Sequence, residues 1–405
     1  MQKTVLMKKI ADAAVIKELD LPEKFTAAGL FVYFVFYGYA DYSIYLGALL
    51  MLVGFTLSVK DSGISLLKST PLIRPLTLLF LIALLSLFRV ENFQAAGTRV
   101  GDVLEVLIVF LPAYHFFRNK SSTVHGIMLF FLLVGGGLVV GGDLYRELAD
   151  SGRKMGPVIE NSNLRGVYLL FVFSLSLTFL SSLKLKLIIP GIPCIFLLIY
   201  GVLASTSRAA ILGMMAACIF FIFLHYLQFS NKKIVALFLI VMLLAFPLFQ
   251  DDIITELTDT INNVRAREEN RIYIWLSSAK LIRDNPLLGV GAGNFRERYE
   301  PHPEASSDRI YNHSHNIFVQ FGVEVGVAGM LVLLSIIGAV IKHFYLSLPL
   351  KNDFKGGLQL ALAGAMAGFF VQTQFEYSLI SSAVTMLLTI LLAWLLALSF
   401  DKIEG

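Results

Sequence analysis

Long apolar runs separated by short polar connections dominate the chain. A helix needs about 20 apolar residues to cross a bilayer. On that scale the runs fall at 25–40, 42–59, 72–90, 101–117, 123–141, 164–182, 186–204, 207–229, 233–250, 315–341, 356–375 and 379–400. They predict an all-α polytopic membrane protein of about twelve transmembrane helices. Two connections are longer: 142–163, and above all 251–314. Within the second, Ile272, Trp275, Leu276, Ala279 and Ile282 share one stripe, which predicts an amphipathic helix over 270–283. Asn285-Pro286 stops it, and Gly289-Val290-Gly291-Ala292-Gly293 is expected to follow as a flexible turn. The organisation expected is a cytoplasmic segment at 1–24, membrane helices over 25–250, a large helical outer loop at 251–314, further membrane helices over 315–400, and a cytoplasmic tail at 401–405.

Composition supports the membrane reading. The 405 residues are 57% hydrophobic and 15% charged, with a mean hydropathy of +0.74, more apolar surface than a soluble domain can hide. Residues 1–24 carry Lys3, Lys8, Lys9, Lys17 and Lys24 without a leading apolar run, which reads as a partly amphipathic lead-in rather than a cleavable signal. Placing most basic short loops inside puts both termini in the cytoplasm and both long loops outside. Only Lys154 and Lys280 of 18 lysines then fall outside, and only Arg74 and Arg118 of 15 arginines fall inside. Lysine therefore reads as the topology signal. Arginine gathers where a planar, permanently charged fork could grip phosphate oxygens, or could contact anionic headgroups. The formal charge of +4 gives no argument for nucleic acid as a partner. Cys194 and Cys218 lie in apolar runs and cannot build a metal cluster.

Candidate chemistry concentrates at two helix starts. Ser205-Thr206-Ser207-Arg208 precedes one apolar run, and Tyr311-Asn312-His313-Ser314-His315-Asn316 opens another. Ser and Thr cap helices, and the free N–H groups of a first turn attract anions. A histidine in a first turn is disfavoured as imidazolium, so His315 is expected to stay neutral and able to take a proton. Arg265, Arg267, Arg271, Arg283, Arg296, Arg298 and Arg309 crowd the same loop. A zinc site at His313 and His315 lacks a convincing third ligand, so no metal is expected. The glycine run has the wrong spacing for a dinucleotide loop. Asp251-Asp252 and Glu268-Glu269 are adjacent pairs, unlike the spaced Asp-x-Asp of metal-dependent sugar transferases. The shorter loop offers Asp143, Tyr145, Arg146, Arg153, Glu160, Asn163 and Arg165 for sugar or phosphate contacts. Gln372, Gln374, Glu376 and Tyr377 could hydrogen-bond a glycan.

With these residues in place the chain resembles the bacterial O-antigen ligase and polymerase superfamily, and within it the lipid A-core:O-antigen ligases. Arg208-Ala209-Ala210-Ile211-Leu212 matches an Arg-x3-Leu motif, and His315 through Gly326 matches His-x10-Gly. Asn270-Arg271-Ile272-Tyr273-Ile274-Trp275 and Asn285 through Phe295 also look typical of the superfamily. The resemblance implies a GT-C-like glycosyltransferase of the Gram-negative inner membrane with its active site facing the periplasm. The implied reaction transfers polysaccharide from undecaprenyl diphosphate to a sugar hydroxyl of lipid A-core, needs no cofactor or metal, and inverts the anomeric carbon. It assigns His315 as general base and Arg208 and Arg271 as diphosphate holders but gives His313 no role; His313, Arg265, Asn316 and Arg146 are secondary candidates from their own residue types and loop positions. It names no protein partner. Polymerases of the superfamily share both short motifs, but usually carry two large loops of similar size, whereas 251–314 here far outweighs 142–163. A lipid-linked glycan transporter is the reading of another class. It would place ionisable groups near the bilayer midplane, and the apolar runs here are almost free of them.

Overall fold

The computed structural model describes residues 19–37, 41–62, 70–149, 161–181, 185–230, 271–305, 308–349 and 351–400, with a few single positions besides. Every regular element among them is helical. The chain folds as α1 (Leu21–Phe36), α2 (Asp41–Ser62), α3 (Ile73–Ser86), α4 (Phe93–Phe117) and α5 (Ser122–Ala149). There follow α6 (Ser162–Ser176, resumed after Leu177 as Thr178–Ser181), α7 (Leu185–Ala204) and α8 (Arg208–Phe229). Helix α9 covers 271–284, α10 is the short Phe295–Arg298, and α11 (Ile317–Leu346), α12 (Phe354–Gln372) and α13 (Ser382–Phe400) complete the set.

Nine helices among the described residues are long and apolar enough to cross a membrane, so this is a multi-pass membrane protein. The expected run at 233–250 lies almost wholly outside the described residues. Two boundaries move for a local reason. Helix α4 starts at Phe93 rather than 101, because the Asn92 side chain accepts the Ala95 N–H at 3.0 Å and caps the helix earlier. Helix α11 starts at Ile317, after His315, because Asn316 caps it.

Helix α6 is the centre of the bundle, buried from Gly166 through Ser176. Helices α8 and α12 pack beside it with their backbones in close approach. A Cβ on Gly213 would lie 2.7 Å from the Gly368 carbonyl oxygen, and one on Gly368 would lie 2.9 Å from the Ala217 Cβ. Small residues let helices meet this closely. The start of α8 is thereby held beside the end of α12.

The glycine run is a packed insertion, which corrects the flexible turn expected from sequence. Helix α11 breaks at Gly326 (φ 68°, ψ −169°). In an unbroken helix the Val327 N–H would bond to the Val323 carbonyl. Here Val327 donates to Pro286 O at 2.8 Å, and Val323 O accepts from Val290 N at 2.8 Å. Glu324 O likewise accepts from Gly291 N at 3.1 Å. The loop exchanges hydrogen bonds with the broken helix, so both keep their backbone groups satisfied. Ala292 N donates to Ser86 Oγ at 3.0 Å, and Asn294 Oδ1 accepts from Glu91 N and Asn92 N at 3.0 and 2.8 Å.

The apolar helices are also less free of charge than expected. In α4, Arg99 pairs with Asp102 at 3.0 Å and faces Glu324 of α11 at 3.7 Å. Its guanidinium also donates to Leu379 O at 2.9 Å, in the connection between α12 and α13. That contact places the cluster toward the histidine-bearing end of the helices rather than at their middle.

Candidate active site

Four helix ends meet at one point. The loop before α11 supplies His313 and His315, and the connection after α12 supplies Glu376. The Glu376 carboxylate is held between the two imidazoles: His313 Nε2 lies 3.0 Å from Oε1, and His315 Nδ1 lies 3.1 Å from Oε2. Glu376 is 7% exposed. Burial alone would raise its pKa, but hydrogen bonds and charge from both histidines outweigh that and bring the carboxyl down to about 2. An ionised Glu376 fixes His315 with its proton on Nδ1, which leaves Nε2 to accept one.

The two histidines are not equivalent. His313 turns Nε2 to the carboxylate, and its Nδ1 is buried with no hydrogen-bond partner among the described residues. His315 turns Nδ1 to the carboxylate and keeps part of its surface open. The expectation that His315 occupies a first turn is overturned. It stands just before the cap in a left-handed conformation (φ 58°). Asn316 is the cap, its Oδ1 accepting from Phe318 N at 2.9 Å and Val319 N at 3.1 Å. A short side chain that satisfies two first-turn donors outcompetes an imidazole for the cap. The partner of His315 is therefore a carboxylate rather than a helix terminus.

The loop is pinned from below and from the side. Ser314 N donates to Gln320 Oε1 at 2.7 Å, and Gln320 Nε2 donates to Glu324 Oε1 at 2.7 Å. Trp275 Nε1 of α9 donates to Ser314 O at 2.9 Å. Arg271, half-buried, stands one turn before Trp275 on the same face of the helix that braces the histidines. Arg208, likewise half-buried, is the first residue of α8, after the cap Ser207.

Asn163 links these parts. Its Nδ2 donates to Glu376 Oε2 at 3.0 Å, and its Oδ1 accepts from Ser207 Oγ at 2.8 Å. Nearby, Arg165 pairs with Asp143 at 3.2 Å and donates to Ala204 O at 3.3 Å. Asn163, Arg165 and Asp143 are thus engaged with protein groups, and so is Glu376. Gln372 is buried and donates to Ser378 Oγ at 2.8 Å. Asn316 holds the loop to Gln374 O at 3.2 Å besides capping α11. Arg265 lies outside the described residues, as do Asp251-Asp252, Glu268-Glu269, Arg153 and Glu160. Arg146 falls within α5, but its side chain is outside them too.

The argument that no third metal ligand exists is also corrected. His313, His315 and Glu376 offer ligand atoms within 4.8 Å of one another. In sequence this was invisible, because Glu376 is separated from the histidines by two membrane helices. A lone carboxylate in the short connection between two apolar runs was the available signal.

Residues 193–334 match the O-Antigen ligase family. Over 162 residues the chain is 24% identical to a Rickettsia conorii protein named as a candidate polysaccharide ligase. That alignment covers 36% of this chain and 38% of the relative's length. The family segment contains Arg208, Arg271, His313, His315 and Gly326, while Asn163 and Glu376 flank it on either side.

Proposed function

With its resemblance to the O-antigen ligase superfamily in place, and with it a ligase-type function, we propose that this protein transfers a polysaccharide from undecaprenyl diphosphate to a sugar hydroxyl of lipid A-core. The proposed reaction takes place at the periplasmic face of the inner membrane, the side to which the distribution of basic residues in the sequence assigns the loop 251–314. The observation that carries this reading is the contact of His315 Nδ1 with the ionised Glu376 at 3.1 Å. It makes Nε2 a base, and it stabilises the imidazolium that forms when Nε2 takes a proton.

The acceptor hydroxyl oxygen attacks the anomeric carbon from the side opposite the diphosphate. A carbon–oxygen bond forms there as the bond to the diphosphate breaks, so configuration inverts. The hydroxyl proton passes to His315 Nε2. The electron pair leaves with undecaprenyl diphosphate, whose negative charge is held by Arg208 at the start of α8 and by Arg271 at the start of α9. Positioned cations and a helix N-terminus stabilise a departing phosphate without an acid catalyst. His313 holds the second carboxylate oxygen and keeps Glu376 from turning away.

The test is transfer by the purified full-length protein in detergent, with a glycan on undecaprenyl diphosphate as donor and lipid A-core as acceptor. Glycan on lipid A-core is the expected product. Glycan lengthened on its own lipid carrier, with lipid A-core untouched, would make the protein a polymerase. Because His313, His315 and Glu376 have the spacing of a metal site, the assay is repeated after EDTA. The reading expects full activity. Loss on chelation and recovery with a divalent ion would replace general-base catalysis by a metal mechanism.

A further inference from the structure

We propose that Asn163 is a positioning residue that couples the base to the phosphate grip. It sets both through one directional chain of hydrogen bonds, and the inference rests on the transfer reaction above. The chain runs from Ala210 N to Ser207 Oγ (3.4 Å), from Ser207 Oγ to Asn163 Oδ1 (2.8 Å), and from Asn163 Nδ2 to Glu376 Oε2 (3.0 Å). Each link has only one sensible direction. The helix N–H can only donate, so the Ser207 hydroxyl accepts there, and it donates to Asn163 because the amide presents its oxygen on that side. The carboxylate can only accept, so the amide nitrogen of Asn163 must face Glu376.

The oxygen that Asn163 holds is the one that orients His315, since Oε2 accepts from both Nδ2 of Asn163 and Nδ1 of His315. The hydroxyl that Asn163 accepts from caps the helix whose first residue is Arg208. One amide therefore fixes the distance between the atom that takes the proton and the cation that meets the leaving group. Its anchor is stiff. Asn163 lies in the first turn of the most buried of the described membrane helices. Two residues on, Arg165 bonds to Ala204 O and so holds the turn that leads into Ser207. The link needs a donor on one side and an acceptor on the other. Among uncharged side chains of this length the carboxamide offers both.

The experiment compares wild type, Asn163→Ala, Asn163→Asp, Ser207→Ala and the Asn163→Ala/Ser207→Ala double variant. It measures kcat, donor KM and pH–rate profiles in the detergent assay, on proteins that elute and melt like wild type. Hydrogen bonds to charged groups in such chains are worth enough that Asn163→Ala should lower kcat roughly 10- to 100-fold. Ser207→Ala should lower it too, and the double variant should be no worse than the more damaged single variant. Asn163→Asp keeps the volume and sets a second carboxylate against Glu376. The added negative charge favours imidazolium, so the acid limb of its profile should move to higher pH. This variant carries the test if Asn163→Ala does not fold. Wild-type kcat and profile in Asn163→Asp, or independent multiplicative losses in the double variant, would overturn the coupling while leaving the transfer reading intact. An inactive wild type would overturn both.

Discussion

A histidine has two nitrogens, and which of them meets the substrate decides its role. Glu376 takes Nδ1 of His315 and Nε2 of His313. His315→Ala should therefore abolish transfer, since general-base help is worth about 10²- to 10⁴-fold, while donor binding should persist, because the proposed phosphate grip rests on the arginines. His313→Ala should be milder. Equal activity of His315→Ala and wild type would remove the base from the mechanism. Glu376→Gln should lower kcat and move the acid limb of the pH profile to lower pH, because the imidazolium loses its anionic partner. The carboxyl itself is not that limb. Its pKa is depressed from 4.5 to about 2, so its contribution to stability is present above its ordinary value and is lost only as pH falls through about 2. Arg208→Lys and Arg271→Lys keep the charge but lose the planar fork. Both should impair transfer, read as a higher donor KM or a lower kcat, and unchanged constants in both would make these arginines headgroup contacts.

At the scale of elements, the break in α11 decides where the histidines stand. Gly326 is left-handed, and a Cβ there would run into the Leu287 carbonyl. Gly326→Ala should therefore cost about 1–3 kcal/mol for the strained backbone, read as a lower melting temperature in detergent. Transfer should fall with it, since the loop that brings α9 to Ser314 docks at this break. Gly137→Ala is the control, because nothing lies within 4 Å of its added methyl and alanine favours a helix. A melting temperature for Gly326→Ala equal to that of wild type would mean that the break adapts. The glycine of the His-x10-Gly spacing is thus a backbone requirement rather than a chemical one.

Across the whole molecule, the buried charges join the histidine loop to the rest of the bundle. Arg99 binds Asp102, faces Glu324 and bonds to Leu379 O just beyond Glu376. Through Glu324 and Gln320 the same cluster reaches Ser314, between the two histidines. Arg99→Ala leaves two carboxylates without their cation and should destabilise the protein by about 3–5 kcal/mol. Adding Asp102→Asn and Glu324→Gln should restore much of the melting temperature, because the uncompensated charges are then gone. Absence of any loss in Arg99→Ala would show that the cluster contributes nothing to holding the site together.

The sequence by itself determined what local rules decide. Apolar runs of membrane length mark most of the helices, an apolar stripe marks α9, and Ser207-Arg208 marks a capped helix start, because propensity, capping and hydropathy act within a few turns. It also singled out His315, Arg208 and Arg271 as candidates, from residue type and loop position alone. Only tertiary structure decided what those residues meet. Glu376 reaches the histidines across two intervening helices, Asn163 reaches Ser207 from the far side of α7, and Gly289 through Gly293 dock into a break in α11. Such partners are chosen by how helices pack, at separations of tens of residues, and no spacing along the chain encodes the pairing. The imidazole expected in the first turn of a helix is instead held before the cap and oriented by a buried carboxylate.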